Sequence, residues 1–254
     1  MSGHYLEFQN VSKAFDDNVV LTEASFFVDR GETAVIMGRS GVGKSVSLKL
    51  LLGFLKPDAG RIIVGGEDVT DFTEEQFEKV RRCTTMVFQS GALFDSITVA
   101  ENVAFPMVSR AGKSEEEIDR RVKELLDMLE VSEFADRLPS DLSTGAKRAV
   151  AIARALAEDP EAILYDEPTT MVDPLMAGHI SDLIVKLKET LHKTSVVVTH
   201  DTHLGKKLAD RVIFLHDGGV KFFGTWPELE ASQDPFLRNF LLQDELIPAL
   251  DETA

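Results

Sequence analysis

The feature that most restricts the fold is the loop GRSGVGKS, residues 38–45, set between the apolar run TAVIM and the helical pattern VSLKLLLG. Gly38, then four residues, then Gly43, Lys44 and Ser45 satisfies the phosphate-loop pattern. The residue types follow from the chemistry. Backbone N–H groups must approach phosphate oxygens closely, which glycine permits, and the next helix turns its positive end to the same anion. The spacing therefore predicts that Gly38, Arg39, Ser40, Gly41, Val42 and Gly43 wrap a nucleotide's phosphates. Lys44 is expected on the β- and γ-phosphates, and Ser45 on Mg²⁺. The competing reading is a plain glycine-rich turn, and the apolar strand and the helix on either side argue against it.

Composition narrows the partners. Of 254 residues 44% are hydrophobic, enough for a sizeable core or for a core with a subdomain. The net charge of −16, from 43 acids against 27 bases, argues against sequence-independent nucleic-acid binding, which depends on Lys and Arg neutralising phosphates. It argues equally against lying on an anionic lipid surface. Cys83 is the one cysteine, so no internal disulfide is expected, and a reducing, cytoplasm-like compartment fits. The first residues, MSGHYLEFQN, lack a signal pattern, and no run approaches the roughly 20 apolar residues of a membrane span. Service to a membrane would require a partner.

Along the chain, YLEFQNVSKAF alternates with a period near two and predicts a strand. ASFFVDRGETAVIMG predicts two short strands turning at DRGE, and GRIIVGGEDVT a further strand and turn. Residues 72–160 turn mainly helical. Ser114 and Glu117 form a capping box ahead of the stripe Ile118, Val122, Leu125, Leu126 and Leu129. Strand character returns at EAILYDEP and TSVVVTHD, with a helix between them that starts at Asp173-Pro174. RVIFLHDGGVKFFG predicts a hairpin at Asp217-Gly218-Gly219.

A second motif narrows the chemistry. AILYDEP is an apolar strand ending in two acids. Asp166 is the expected carboxylate near Mg²⁺, and Glu167 is placed to orient and polarise an attacking water.

From here the chain resembles the ATP-binding cassette family over roughly residues 4 to 226. The family's signature, near Leu-Ser-Gly-Gly-Gln, matches LSTGAKRAVAIARAL, with Leu142, Ser143, Gly145 and Arg148 in place. The resemblance implies an α/β fold: a P-loop cassette with a RecA-like core, an antiparallel β-subdomain and a helical subdomain. The core is expected over about 1–88 and 160–226, the helical part over about 89–159 and a tail over 227–254. It implies that Ser143 and Gly145 bind the γ-phosphate held by the Lys44 loop of a second copy, in an ATP-sandwich dimer. Gln89 corresponds to the family's Q-loop residue, touching Mg²⁺ or water, and His200 to the switch histidine at the γ-phosphate. Phe15 matches the aromatic that stacks on adenine, against the alternative of a buried core phenylalanine. Asp173 matches the aspartate that crosses the dimer interface. His4, His179, His192, His203 and His216 are read as structural or solvated.

Two motifs depart from the pattern: in the signature Thr144 and Ala146 replace the usual glycine and glutamine, and before Asp173 Val172 replaces the usual leucine. A β-branched Thr144 would be strained if its φ were positive, which leaves slow turnover or a regulatory cassette as an alternative. Beyond the shared motifs, GKSVSLKLLLGFLKPDAGRI, VFQSGALFDSITVAENVAFPM and DPFLRNFL resemble the Mla/Mce-type phospholipid transport branch. That likeness implies ATP with Mg²⁺, an integral membrane permease, an Mce-domain lipid-binding protein and a small regulatory subunit. It places the chain at the cytoplasmic face of the inner membrane. An importer of small solutes is the rival within the family. The tail DPFLRNFLLQDELIPAL is either a helix packing on its own domain or an arm that docks a partner.

Overall fold

The computed structural model describes residues 3–109 and 112–246. The strands and helices β1 (His4–Phe15), β2 (Asn18–Asp29), β3 (Thr33–Met37), α1 (Lys44–Leu51), β4 (Ala59–Val64) and β5 (Glu67–Asp68) come first. Next are α2 (Glu74–Cys83), β6 (Thr84–Val87), α3 (Val99–Val108), α4 (Glu115–Met128), α5 (Thr144–Leu156), β7 (Ala162–Asp166), α6 (Pro174–Leu191) and β8 (Thr194–Val198). The described chain closes with α7 (Thr202–Leu208), β9 (Arg211–His216), β10 (Gly219–Gly224), α8 (Trp226–Glu230) and α9 (Pro235–Leu246). Two compact units result: one takes the chain up to Phe72 and again from Val196, the other Thr73–Ser195.

In the first unit an antiparallel sheet runs β2-β1-β4-β5. Alternation in β1 buries Leu6 and Phe8 while Glu7 and Gln9 face outward, as a one-sided sheet requires. β2 starts at Asn18, six residues ahead of the expected strand at Ala24. The period is broken there by bulges, with register shifts between Phe8 and Val11 and between Val11 and Lys13. Asn10 sits at φ 51° in that irregular stretch. Gly60, at φ 87°, crosses it so closely that a Cβ would lie 2.3 Å from the Asn10 carbonyl oxygen. Only glycine fits there.

The same unit carries β3, which is buried along its whole length and parallel to β9, pairing Ala34 with Arg211 and Met37 with Phe214. A strand covered on both faces reads as a continuous apolar run, which is why TAVIM shows no alternation. The expected hairpin at Asp217-Gly218 joins β9 to β10, with Asp217 at φ 48° and Gly218 at φ 77°. The front of the tail forms α9 and packs on its own unit. Leu237 is buried, and Phe236 and Phe240 meet Phe214 edge to face at centroid distances of 6.0 and 4.8 Å. Residues 247–250 of the tail segment lie outside the described residues.

The second unit holds the parallel pair β6–β7, which registers Thr84 with Ala162 and Val87 with Tyr165. Capping boxes start α2 at Thr73, α3 at Thr98 and α4 at Ser114. The expected Ser114–Glu117 box is formed: the Ser114 N–H donates to Glu117 at 2.8 Å and the Glu117 N–H to Ser114 Oγ at 3.3 Å. Val122, Leu125 and Leu126 of α4 are buried, as are Ile180, Leu183, Ile184 and Leu187 of α6.

Candidate active site

The loop after β3 belongs to the first unit. Gly38, Gly41 and Gly43 all take positive φ, at 142°, 83° and 102°. A Cβ at Gly38 would lie 2.4 Å from the Leu215 carbonyl oxygen, and one at Gly43 2.8 Å from Leu21 Cδ2. Gly38 is dictated by the backbone behind the loop, and Gly43 by its positive φ. Gly41 meets nothing within 4 Å and is exposed with Arg39 and Ser40, while Val42 is half-buried. Lys44 is buried, and its Nζ donates to the carbonyl oxygens of Gly38 at 2.9 Å and Arg39 at 3.2 Å. The ammonium is thus folded back across the loop's own concavity. Gly43 caps α1 without any side-chain hydrogen bond. Helix N–H donors, a curled backbone and a lysine make a donor set suited to a chain of phosphates.

Two more candidates lie in this unit. Phe15 ends β1, is 39% exposed, and has Lys13 Nζ 5.4 Å from its ring centroid. An exposed ring is open to stacking on a base, which a core phenylalanine would not be. His200 follows β8 and is exposed. The turn that presents it is tied on both sides: the Asp201 N–H donates to Thr199 Oγ1 at 3.0 Å, and Asp201 Oδ1 accepts from the Leu204 N–H at 3.0 Å.

The second unit gathers Gln89, Ser143, Gly145, Asp166, Glu167 and Asp173. Asp166 closes β7 and is buried with Glu167. Glu167 takes φ 48°, a region costing an ordinary residue about 1–2 kcal/mol. Such a conformation persists where the surroundings over-determine it, as at active sites. Its Oε2 accepts a hydrogen bond from Thr170 Oγ1 at 3.0 Å.

Ser143 caps α5, its Oγ accepting from the Ala146 N–H at 3.2 Å. Thr144 opens the helix and is absent from the residues with positive φ. The strain considered for a threonine at this place therefore does not arise, and its exposed side chain stands at the helix entrance. Gly145 packs closely against Met176. A Cβ there would lie 2.4 Å from Met176 Cε and 3.3 Å from Met176 Cβ. The signature thus leans directly on the first turn of α6, whose N-cap is Asp173, accepting from the Met176 N–H at 3.0 Å. Met171 and Leu175, on either side of that cap, are each 83% exposed.

Gln89, half-buried, lies in a segment clasped by two arginines of α5. Arg148 Nη1 donates to the Phe88 carbonyl at 3.0 Å, and Arg154 donates to the carbonyls of Ala92 at 2.8 Å and Gly91 at 3.0 Å. Burial pushes both guanidinium pKa values down, but arginine keeps its charge at neutral pH. The sequence reading missed Met176, Thr170 and Arg154. The IARAL run was a visible signal for Arg154, whereas nothing local marks the other two.

The Ser45 hydroxyl in the first unit and the Asp166 carboxylate in the second are each hard oxygen donors, the kind Mg²⁺ takes alongside phosphate oxygens and water. The chemistry of each residue therefore suits Mg-ATP. When bound, that pair supplies the scissile phosphoanhydride and a cation that offsets its negative charge.

Comparisons with known proteins agree with this chemistry. Residues 21–170 match the family model described as ABC transporter. The intermembrane phospholipid transport system ATP-binding protein MlaF of Haemophilus influenzae is 37% identical over 95% of this chain and 91% of its own length. The methionine import ATP-binding protein MetN 2 of Pseudomonas entomophila is 36% identical over 95% of this chain and 74% of its own length. The ATP-binding cassette MJ0796, solved as a dimer in a post-hydrolysis state bound to ADP and Pi, superposes with a TM-score of 0.78 at 35% identity. That match covers 87% of this chain and 98% of the other. The chain belongs to the ABC transporter family, with the α/β cassette fold of its ATP-binding subunits, and is an ATPase that uses ATP with Mg²⁺.

Proposed function

We propose that this ATPase powers the movement of phospholipid between two membranes through a partner permease, in a transporter that also contains an Mce-domain lipid-binding protein. The observation that carries the reading is the likeness to MlaF, which extends over nearly the full length of both chains. Among the described residues no helix is long and apolar enough to cross a membrane, which accords with a peripheral subunit held at the cytoplasmic face of the inner membrane by its permease. A small regulatory subunit would complete the assembly.

Within the site, Gly38 to Ser45 hold the triphosphate, Phe15 stacks on the adenine, and Ser45, Gln89 and Asp166 serve Mg²⁺. Glu167 orients the attacking water, and His200 senses the γ-phosphate. Ser143, Gly145 and Asp173 act across to a second copy. A head-to-tail pair closed on two nucleotides is the symmetric solution for a chain with one phosphate loop and one signature. The MJ0796 dimer is a precedent for pairing in this family. Catalysis then consists mainly of positioning and charge stabilisation around an in-line attack.

A methionine- or other solute-importing role is the second reading, favoured by the MetN likeness. The two separate by what stimulates the assembled transporter. Purified with its membrane subunit into phospholipid vesicles, the complex is expected to transfer labelled phospholipid to acceptor vesicles in an ATP-dependent way. It should be indifferent to methionine. ATP hydrolysis driven by a loaded solute-binding protein, with no lipid transfer, would instead establish the importer.

A further inference from the structure

Three segments far apart in sequence meet at one buried guanidinium in the second unit. Arg148, 3% exposed, donates through Nη1 to the Phe88 carbonyl at 3.0 Å and through Nη2 to the Thr170 carbonyl at 3.3 Å. Its Nε has no hydrogen-bond partner among the described residues. A buried charge normally needs pairing, so here the two carbonyl dipoles carry that role and are held firmly in return. One of them immediately precedes Gln89. The other belongs to the residue whose hydroxyl donates to Glu167 Oε2 at 3.0 Å, in a turn also closed by the Thr170 N–H on the Glu167 carbonyl at 3.3 Å.

We infer that Thr170 and Arg148 are positioning residues for ATP hydrolysis. Thr170 aims the Glu167 carboxylate, and Arg148 fixes Thr170 and the Gln89 segment in one frame. The inference rests on the proposed role of Glu167. A glutamate side chain has three torsions, and tethering one carboxylate oxygen sets the direction in which the other faces. The tether is local to a backbone already held at φ 48°, so the carboxylate's aim is fixed by the same turn that strains it. Neither residue touches nucleotide in this scheme, so their loss should lower turnover and spare ATP binding.

The experiment measures kcat, KM for ATP and melting temperature for the full-length chain carrying Thr170→Val, Thr170→Ser, Arg148→Lys or Glu167→Gln. Thr170→Val keeps the shape and removes the hydroxyl. Its kcat should fall about tenfold, short of the roughly 10²–10⁴-fold effect of removing a general base outright, with KM and melting temperature little changed. Thr170→Ser should restore most of the rate. Arg148→Lys cannot span both carbonyls and should lower kcat in the same sense, and Thr170→Val carries the test if that variant folds poorly. Wild-type kcat in Thr170→Val, or a serine variant as slow as the valine one, would overturn the inference while Glu167→Gln remains inactive. Wild-type turnover by Glu167→Gln would remove the reading of Glu167 itself, and this inference with it.

Discussion

Lys44→Met is expected to abolish ATP hydrolysis and to weaken ATP binding sharply. The ammonium lies in the concavity of the loop, donating to the Gly38 and Arg39 carbonyls. From there it can turn to phosphate oxygens without leaving the loop. A hydrogen bond to a charged group contributes about 1.5–3 kcal/mol, so ATP affinity should drop by roughly 10–100-fold. In the proposed role the lysine would also meet charge that develops during phosphoryl transfer. Removing a donor of that kind costs a further factor of about 10²–10³ in kcat. Methionine fills similar volume in a buried position, so the fold should persist, and circular dichroism checks that. Nucleotide titration reads the affinity. Wild-type affinity in a folded variant would mean that residues 38–45 do not hold the phosphates.

Glu167→Gln should behave differently: ATP binding is kept and turnover falls by roughly 10²–10⁴-fold, the range lost with a general base. The replacement is nearly isosteric, and an amide oxygen can still accept from Thr170 Oγ1, now 3.0 Å from Glu167 Oε2. What is lost is the negative charge proposed to polarise the attacking water. Phosphate release in a single-turnover experiment, alongside nucleotide retention on a filter, separates the two effects. A variant that neither binds nor hydrolyses would point to a collapsed turn around the strained residue at φ 48°, and a variant that turns over normally would relieve Glu167 of its assigned part.

The local settings of many candidate site residues were legible in the sequence because each is short-range. A phosphate loop, a strand ending in two acids, a serine at a helix start and an aspartate before Pro174 each declare themselves within a few residues. Their local settings in the structure match: Ser143 and Asp173 are both N-caps, and Asp166 closes β7. The hairpin at Asp217 and the box at Ser114 were readable for the same reason.

Contacts between distant segments were not readable. Nothing near Gly145 in the sequence announces Met176, which packs closely against it from another helix. Arg148 and Arg154 belong to the signature helix, yet both donate to carbonyls some sixty residues upstream, and Arg148 also to that of Thr170. Periodicity assigns a face to a residue but not the atoms it will meet. Thr144 shows the converse. The family's glycine there left open whether its φ is positive, and its place as the first residue of α5, with φ outside the positive range, answers that.

Sedimentation of the Glu167→Gln protein with Mg-ATP tests the two-copy site most directly. With ATP the protein should sediment at twice the mass of the 28.0 kDa chain, and with ADP, or with Ser143 additionally replaced by arginine, at the mass of one. A protein saturated with ATP that stays monomeric at every concentration would contradict the sharing of one copy's Lys44 loop with its neighbour's Ser143 and Gly145.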